Sequence, residues 1–314
     1  MKKFKYCFLL LIISLIFSGC NSASYSVEKN ENSFCVVVDD SGREVTLLQK
    51  PERIVVTSAS FLEPLNAVGG EVVGRPSSKT KLPDFAKDAA DIGPVYQIDT
   101  EKLLACQPDL VILNKGMNER LAEILNTNSI PFVVADMKGY DSVKKNIAMF
   151  AVIAGNTEKG QQLIEKMDSD INSTVEKLPK ENKKVAILHS TSQGLSVQLD
   201  NSIAGNVVKI LGWQNVSSEM QSTKTGGDTA PYSLETLIEQ NPEIIFVTSM
   251  GNIDDIKSNM EKMIAENEAW QTIPAIKSGK LYYLPQDLFL LSPGVHYPEA
   301  VEYVAKLIYP EVEF

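Results

Sequence analysis

The sequence is poor in arginine, histidine, tryptophan and cysteine, and each shortage removes a class of function. Only Arg43, Arg53, Arg75 and Arg120 carry a guanidinium, and 40 acidic residues against 30 basic ones leave a formal charge of −10. Nucleic-acid binding depends on Lys and Arg neutralising phosphates, so nucleic acid is not an expected partner. The two histidines, His189 and His296, sit in no metal or nucleophile motif and cannot equip a triad, a zinc hydrolase or a bare-ion site needing several imidazoles. There is no Walker loop and no Gly-x-Gly-x-x-Gly, so nucleotide chemistry has no cradle. An enzyme is not expected. Long apolar runs are also scarce: hydrophobic residues are 44% and charged residues 22%, near the globular average, which excludes both disorder and a multi-span membrane protein. At 314 residues the chain is long enough for two domains.

The one apolar run, Tyr6 to Phe17, has 12 residues, short of the roughly 20 needed to span a bilayer, and follows Lys2, Lys3 and Lys5. That is the pattern of a secretion signal. It ends in Phe17-Ser18-Gly19-Cys20, which resembles a bacterial lipobox, whose cysteine is acylated and becomes the mature N-terminus. Residues 1–19 are therefore expected to be a signal peptide and 20–35 a polar, lipid-anchored tether. Cleavage removes three lysines and no acid, leaving about −13 on a mature chain held on the extracytoplasmic face of the cell membrane. Cys7 leaves with the signal, so Cys35 and Cys106 remain: too few for a disulfide framework, although that location permits one bond. Cys106, in Leu103-Leu104-Ala105-Cys106, fits a buried inert thiol.

Sliding the sequence against itself shows an internal repeat. Residues 101–113, Glu-Lys-Leu-Leu-Ala-Cys-Gln-Pro-Asp-Leu-Val-Ile-Leu, match 235–247, Glu-Thr-Leu-Ile-Glu-Gln-Asn-Pro-Glu-Ile-Ile-Phe-Val, at an offset of 134. Each copy reads as a short helix opened by a glutamate, a proline turn, and a buried parallel strand. An earlier pair, Arg53-Ile54-Val55-Val56 with a helix ending at Gly69 and Lys184-Val185-Ala186-Ile187 with a helix ending at Gly212, keeps the order at an offset of 131. Two Rossmann-like α/β lobes with mostly parallel sheets follow, over 36–156 and 180–314. Between them, apolar residues at 163, 164, 167, 171, 175 and 178 predict one amphipathic helix from Thr157 to Leu178, about 33 Å long, within a linking segment 157–179. A single stiff helix implies a small hinge motion. Trp213 and Trp270 flank helices and read as core.

The lipobox, the bilobal repeat, the linking helix and the segments Glu52-Arg53-Ile54-Val55, Leu65-Asn66-Ala67-Val68-Gly69 and Val72-Val73-Gly74 together resemble the substrate-binding lipoproteins of ABC importers for ferric siderophores, haem and cobalamin. Leu291-Ser292-Pro293-Gly294 leading into Pro298 to Leu307 is similar to that family's closing helix. The resemblance runs from about Val36 to Pro310. It implies a monomeric receptor with no cofactor of its own, partnered by a permease and its ATPase. It also implies that Glu101 and Glu235 are the lobe-tip glutamates that dock on permease arginines. A second explanation of both is a helix-opening glutamate favoured by the dipole.

Ligands of open α/β sheets sit beyond the carboxyl ends of the strands. The loops expected there carry Thr57 to Ser60, Arg75 to Ser78, Gly93 to Tyr96 and Lys115 to Met117 in the first lobe. The second lobe supplies His189 to Ser192, Gly226 to Asp228 and Ser249 to Gly251. Ser58, Arg75, Tyr96, Met117, His189 and Met250 are the candidate ligand-binding residues. The stretch from Gly74 to Glu101 resembles most the Gram-positive haem-receptor lipoproteins, which hold haem iron with a methionine from the first lobe and a histidine from the second. Here Tyr96 stands at the methionine and Met250 at the histidine, so these two are the metal ligands if the cargo is haem. Arg75 suits a propionate or an anionic siderophore by its fork; the second lobe has no arginine to grip a strongly anionic chelate from the other side. The expected function is capture of an iron chelate, haem or ferric siderophore, for an ABC permease. The alternatives are a cobalamin receptor and a sensor or adhesion lipoprotein on the same fold.

Overall fold

Short runs of β-branched residues build the centres of two separate sheets. In the computed structural model, which describes residues 33–78, 82–191, 194–224, 226–290 and 293–314, the first lobe opens with an antiparallel hairpin, β1 (Cys35–Val38) and β2 (Glu44–Leu47). The leader, the lipobox, Cys20, Ser192 and the Leu291-Ser292 pair lie outside the described residues. There follow β3 (Ile54–Val56), α1 (Leu62–Ala67), β4 (Val72–Arg75), β5 (Ala90–Asp91), α2 (Thr100–Ala105), β6 (Leu110–Asn114), α3 (Ala122–Thr127) and β7 (Phe132–Ala135). They form a five-stranded sheet in the order β5-β4-β3-β6-β7, parallel throughout. Then come α4 (Tyr140–Ile153) and α5 (Thr157–Glu176).

The second lobe repeats the plan with β8 (Lys184–Thr191), β9 (Gly194–Gln198), α6 (Ile203–Ile210), β10 (Gln214–Asn215), β11 (Thr229–Pro231), α7 (Leu234–Gln240), β12 (Ile244–Ser249), α8 (Ile253–Glu266), α9 (Pro274–Lys277), β13 (Leu281–Tyr283), α10 (Gln286–Phe289) and α11 (Tyr297–Ile308). Its sheet runs β11-β9-β8-β12-β13, with β10 beside the start of β8. The repeat is visible in the registers. Ile54 pairs with Leu110 and Val56 with Ile112 in the first lobe, as Val185 pairs with Ile244 and Ile187 with Phe246 in the second. Gly69 and Gly212, at φ of 88° and 75°, end the equivalent helices α1 and α6 in a left-handed turn that glycine adopts without a Cβ penalty. The second lobe differs in β9, which is inserted antiparallel between β8 and β11.

Strand alternation sorts the core into layers. Val55, Val111 and Leu113 face one side of the first sheet, and Ala186, Leu188, Ile245 and Val247 the matching side of the second. Ile54, Val56 and Ile112 share a single continuous core with Val185, Ile187 and Phe246, closed by α4, α5 and α11. The linking helix is thus packed on both lobes, against α4 of the first and α11 of the second. It is 20 residues long and stops at Glu176 instead of Leu178, because the residue before Pro179 is disfavoured in helical geometry. The expected tether also overruns the fold: Cys35 is buried in β1 and Phe34 packs on the core. Trp213 and Trp270 are buried as expected. The bond between Cys35 and Cys106 does not form, and both are buried free thiols. Burial pushes Cys35 up to about 11 and raises Cys106 too, where Arg53 opposes it. Among the described residues no helix is long and apolar enough to cross a membrane.

Candidate functional site

All strands of the first sheet, and β8, β10, β12 and β13 of the second, run parallel within their sheet, so each lobe gathers its loops at the carboxyl ends of its strands. In the first lobe Thr57 secures that edge: its hydroxyl donates to the Ile112 carbonyl (3.2 Å) and accepts from the Asn114 N–H (2.9 Å). Ser58 is buried, and its hydroxyl accepts from Ser60 N–H as the cap of a 3₁₀ turn, so it is committed to the backbone. Arg75 corrects the expectation of an open cleft arginine. Its side chain is buried, its guanidinium donates to the carbonyls of Ala86 and Pro76, and it pairs with Asp91 at 3.2 Å. The reason lies in Asp91, which also accepts from Ser77 Oγ and Gly93 N–H and so sets the loop geometry around the arginine.

Tyr96 and Met117 are brought together by a residue the sequence did not single out. Asn118 is fully buried and its Nδ2 donates to the Val95 carbonyl (2.8 Å), while Arg120 donates to the Tyr96 carbonyl (3.0 Å), which locks the two loops side by side. Tyr96 is 69% exposed and Met117 47%, so both present free side chains on that rim.

In the second lobe His189 and Met250 lie on adjacent strand ends. Met250, 60% exposed, donates its N–H to the Ser190 carbonyl (3.1 Å). His189 is half-buried with Nδ1 3.0 Å from Thr248 Oγ1. Thr248 Oγ1 also lies 3.3 Å from the Leu188 carbonyl; with its proton given there it accepts from His189 Nδ1–H, the tautomer that leaves Nε2 as a bare lone pair. Burial lowers the pKa of His189, with Asp228 opposing, so the ring is neutral. Gln286, another residue with no signal in the pattern, donates to the Gly251 carbonyl (2.7 Å) and to Ser249 Oγ (3.3 Å), steadying the loop after β12. The lobes meet through Lys138 and Asp228 (2.9 Å), Tyr297 OH and the Lys138 carbonyl (2.8 Å), and Tyr140 N–H and Asn206 Oδ1 (2.9 Å).

The repeat glutamates occupy equivalent places. Asp99 caps α2 by accepting from Glu101 N–H and Lys102 N–H, and Ser233 caps α7 through Thr236 N–H, so Glu101 and Glu235 each stand exposed in a first helical turn. A helix that runs back between parallel strands begins at their carboxyl ends. Both glutamates therefore rise on the same side as the loops just described. Among the described residues no group of His, Cys, Asp and Glu could hold a metal ion by itself. The available ligand chemistry is phenol, thioether, neutral imidazole and apolar surface.

Residues 54–288 match the family described as periplasmic binding protein. The chain belongs to that family. Membership makes it a binding protein and not an enzyme. One relative, the high-affinity heme uptake system protein IsdE of Staphylococcus aureus, is 23% identical over 313 residues, 99% of each chain. Among solved structures, an ABC transporter substrate-binding protein from Listeria monocytogenes has a TM-score of 0.74 at 23% identity, covering 83% of this chain and all of that one. S. aureus IsdE complexed with heme gives 0.72 at 23% (82% and 98%), and S. aureus SirA complexed with staphyloferrin B gives 0.70 at 17% (88% and 99%).

Proposed function

We propose that this periplasmic-binding-family chain captures an iron-containing chelate, haem or a ferric siderophore, in the cleft between its lobes and delivers it to an ABC permease from a lipid anchor at Cys20. The observation that carries the reading is the pairing of an exposed Tyr96–Met117 rim in the first lobe with Met250 and a lone-pair-bearing His189 in the second, both at strand carboxyl ends. A planar or compact chelate with an apolar face is what such a lining covers, and phenolate, thioether and imidazole are the side-chain donors that reach haem iron. The commitment of Arg75 to Asp91 weighs against a role in gripping an anionic group. The resemblance to haem- and siderophore-binding relatives supports the cargo class, and Glu101 with Glu235 supports the docking step.

The test is direct binding. Purified protein is titrated with haem, ferric hydroxamates, ferric staphyloferrin-type carboxylates and cobalamin, following absorbance and tryptophan quenching. Saturable one-to-one binding of an iron chelate is expected; binding of cobalamin alone, or of none of these, overturns the reading. Cys20→Ser should release the protein from membranes or leave it unprocessed. Unchanged membrane association of a cleaved, unacylated chain would remove the anchor.

A further inference from the structure

One histidine takes no part in the proposed cleft and stands where the lobes touch. A 3₁₀ turn, Gly294–His296, leads into α11 of the second lobe and lies against α1 of the first, so close that a Cβ on Gly294 would come within 3.1 Å of Pro64 Cγ. His296 is held between two carboxylates. Its Nε2 is 2.6 Å from Glu63 Oε2 on α1, and its Nδ1 is 2.7 Å from Glu299 Oε1 on α11. A carboxylate can only accept, so each contact needs a proton on the nitrogen that faces it. Neutral imidazole has one such proton, and the arrangement is complete only for the imidazolium.

We propose that His296 is a proton-controlled positioning residue between the lobes. Protonated, it ties Glu63 of the first lobe to Glu299 of the second and sets how α1 seats on the start of α11. Deprotonated, it turns a lone pair toward one carboxylate, and the tie between the lobes slackens. This goes beyond the transport reading and does not depend on which chelate is carried.

The surroundings agree with the geometry. The turn packs against α1 and α11, and the charged groups facing the ring from those elements are Glu63 and Glu299. Partial burial opposes the charge, but the hydrogen bonds and charges of Glu299 and Glu63 outweigh it and hold the pKa of His296 above the ordinary imidazole value of 6.5. A raised folded-state pKa gives stability that is fully present below about 6.5 and is lost as pH rises through the raised value. A second inter-lobe ion pair, Lys138 with Asp228, contains no imidazole and serves as the control.

With two histidines in the chain, imidazole resonances can be assigned by their loss in His296→Gln. In an NMR titration of the purified protein His296 should titrate above 6.5 and move down in Glu63→Gln. Spin labels at Asn126→Cys on α3 and Gln240→Cys on α7 then report the separation of the lobes at about pH 5.5 and about pH 9. The distance distribution is expected to shift or broaden at the higher pH in the otherwise unaltered protein. It should be independent of pH in His296→Gln and in Glu63→Gln, and should keep its response in Lys138→Gln. A His296 pKa at or below 6.5, or a pH response that survives His296→Gln, overturns the proposal.

Discussion

Asp39 shows how much one side chain can organise. Its carboxylate accepts from the N–H of Ser41 and of Arg43, from the Arg43 guanidinium, and from Val134 N–H on β7, so it closes the β1–β2 turn and pins the hairpin to the sheet. Burial opposes its charge, yet the bonds from Arg43 and Val134 outweigh that and pull its pKa below the usual carboxylate value. Asp39→Asn should therefore lower stability by about 1–3 kcal/mol in urea titrations at neutral pH, because buried donors lose a charged acceptor. A depressed carboxylate pKa gives stability that is present above about 3.9 and lost as pH falls through the folded value. The gap between Asp39→Asn and the natural protein should accordingly close in strong acid, and a gap that is flat with pH would assign the effect to shape alone. At the cleft, Tyr96→Ala with Met117→Ala should leave the fold intact, since both side chains are exposed. It should weaken chelate binding about a hundredfold or more, because covering side chains of this size is worth about 1.5–3 kcal/mol each. Equal affinity in a titration of the double variant would place the ligand elsewhere.

Among the elements, the seam between α4 and α5 is the one that seats the linking helix on the first lobe. Gly160 allows it: a Cβ there would sit 2.4 Å from Ala151 Cβ, closer than two carbons can approach. Gly160→Leu should force the helices apart and cost about 1–3 kcal/mol as overpacking, read as a lower denaturation midpoint. A midpoint at or above that of the natural protein would mean that the helices part without loss. This close approach was not legible in the apolar spacing of α5, which marks the face that is buried and not the distance at which it packs. The repeat strands were legible because Val-Ile runs between a proline and a polar loop have few other uses. Strands β9 and β11 were not, since Gly194–Gln198 and Thr229–Pro231 are too short and too polar to carry a period.

For the whole molecule, the two lobes present Glu101 and Glu235 at repeat-related helix starts on the loop side of their sheets. Reversing both, Glu101→Arg with Glu235→Arg, is expected to leave chelate affinity nearly intact and to abolish uptake by cells, each single change weakening docking on the order of 10–1,000-fold. The measurements are ligand titration on the purified variant and uptake in cells. Normal uptake by the double variant, or loss of ligand binding in isolation, would make these glutamates features of the fold only.

The amino-acid sequence by itself determined the two α/β lobes, the helix between them, the buried thiol and tryptophans, and the family, because each of these follows from local period, composition and a repeat that lies along the chain. It also brought Tyr96, Met117, His189 and Met250 forward, since loops after parallel strands must meet at one edge. Tertiary structure alone decided what those loops can offer. Arg75 is withdrawn by Asp91, 16 residues away, and Ser58 by the backbone N–H of Ser60. Asn118 and Gln286 set the rims although neither belongs to a motif. Most of all, His296 meets Glu63 across 233 residues of chain. A hydrogen bond needs atoms within about 3 Å at the right angle, and a sequence records neither quantity for residues that only folding brings together.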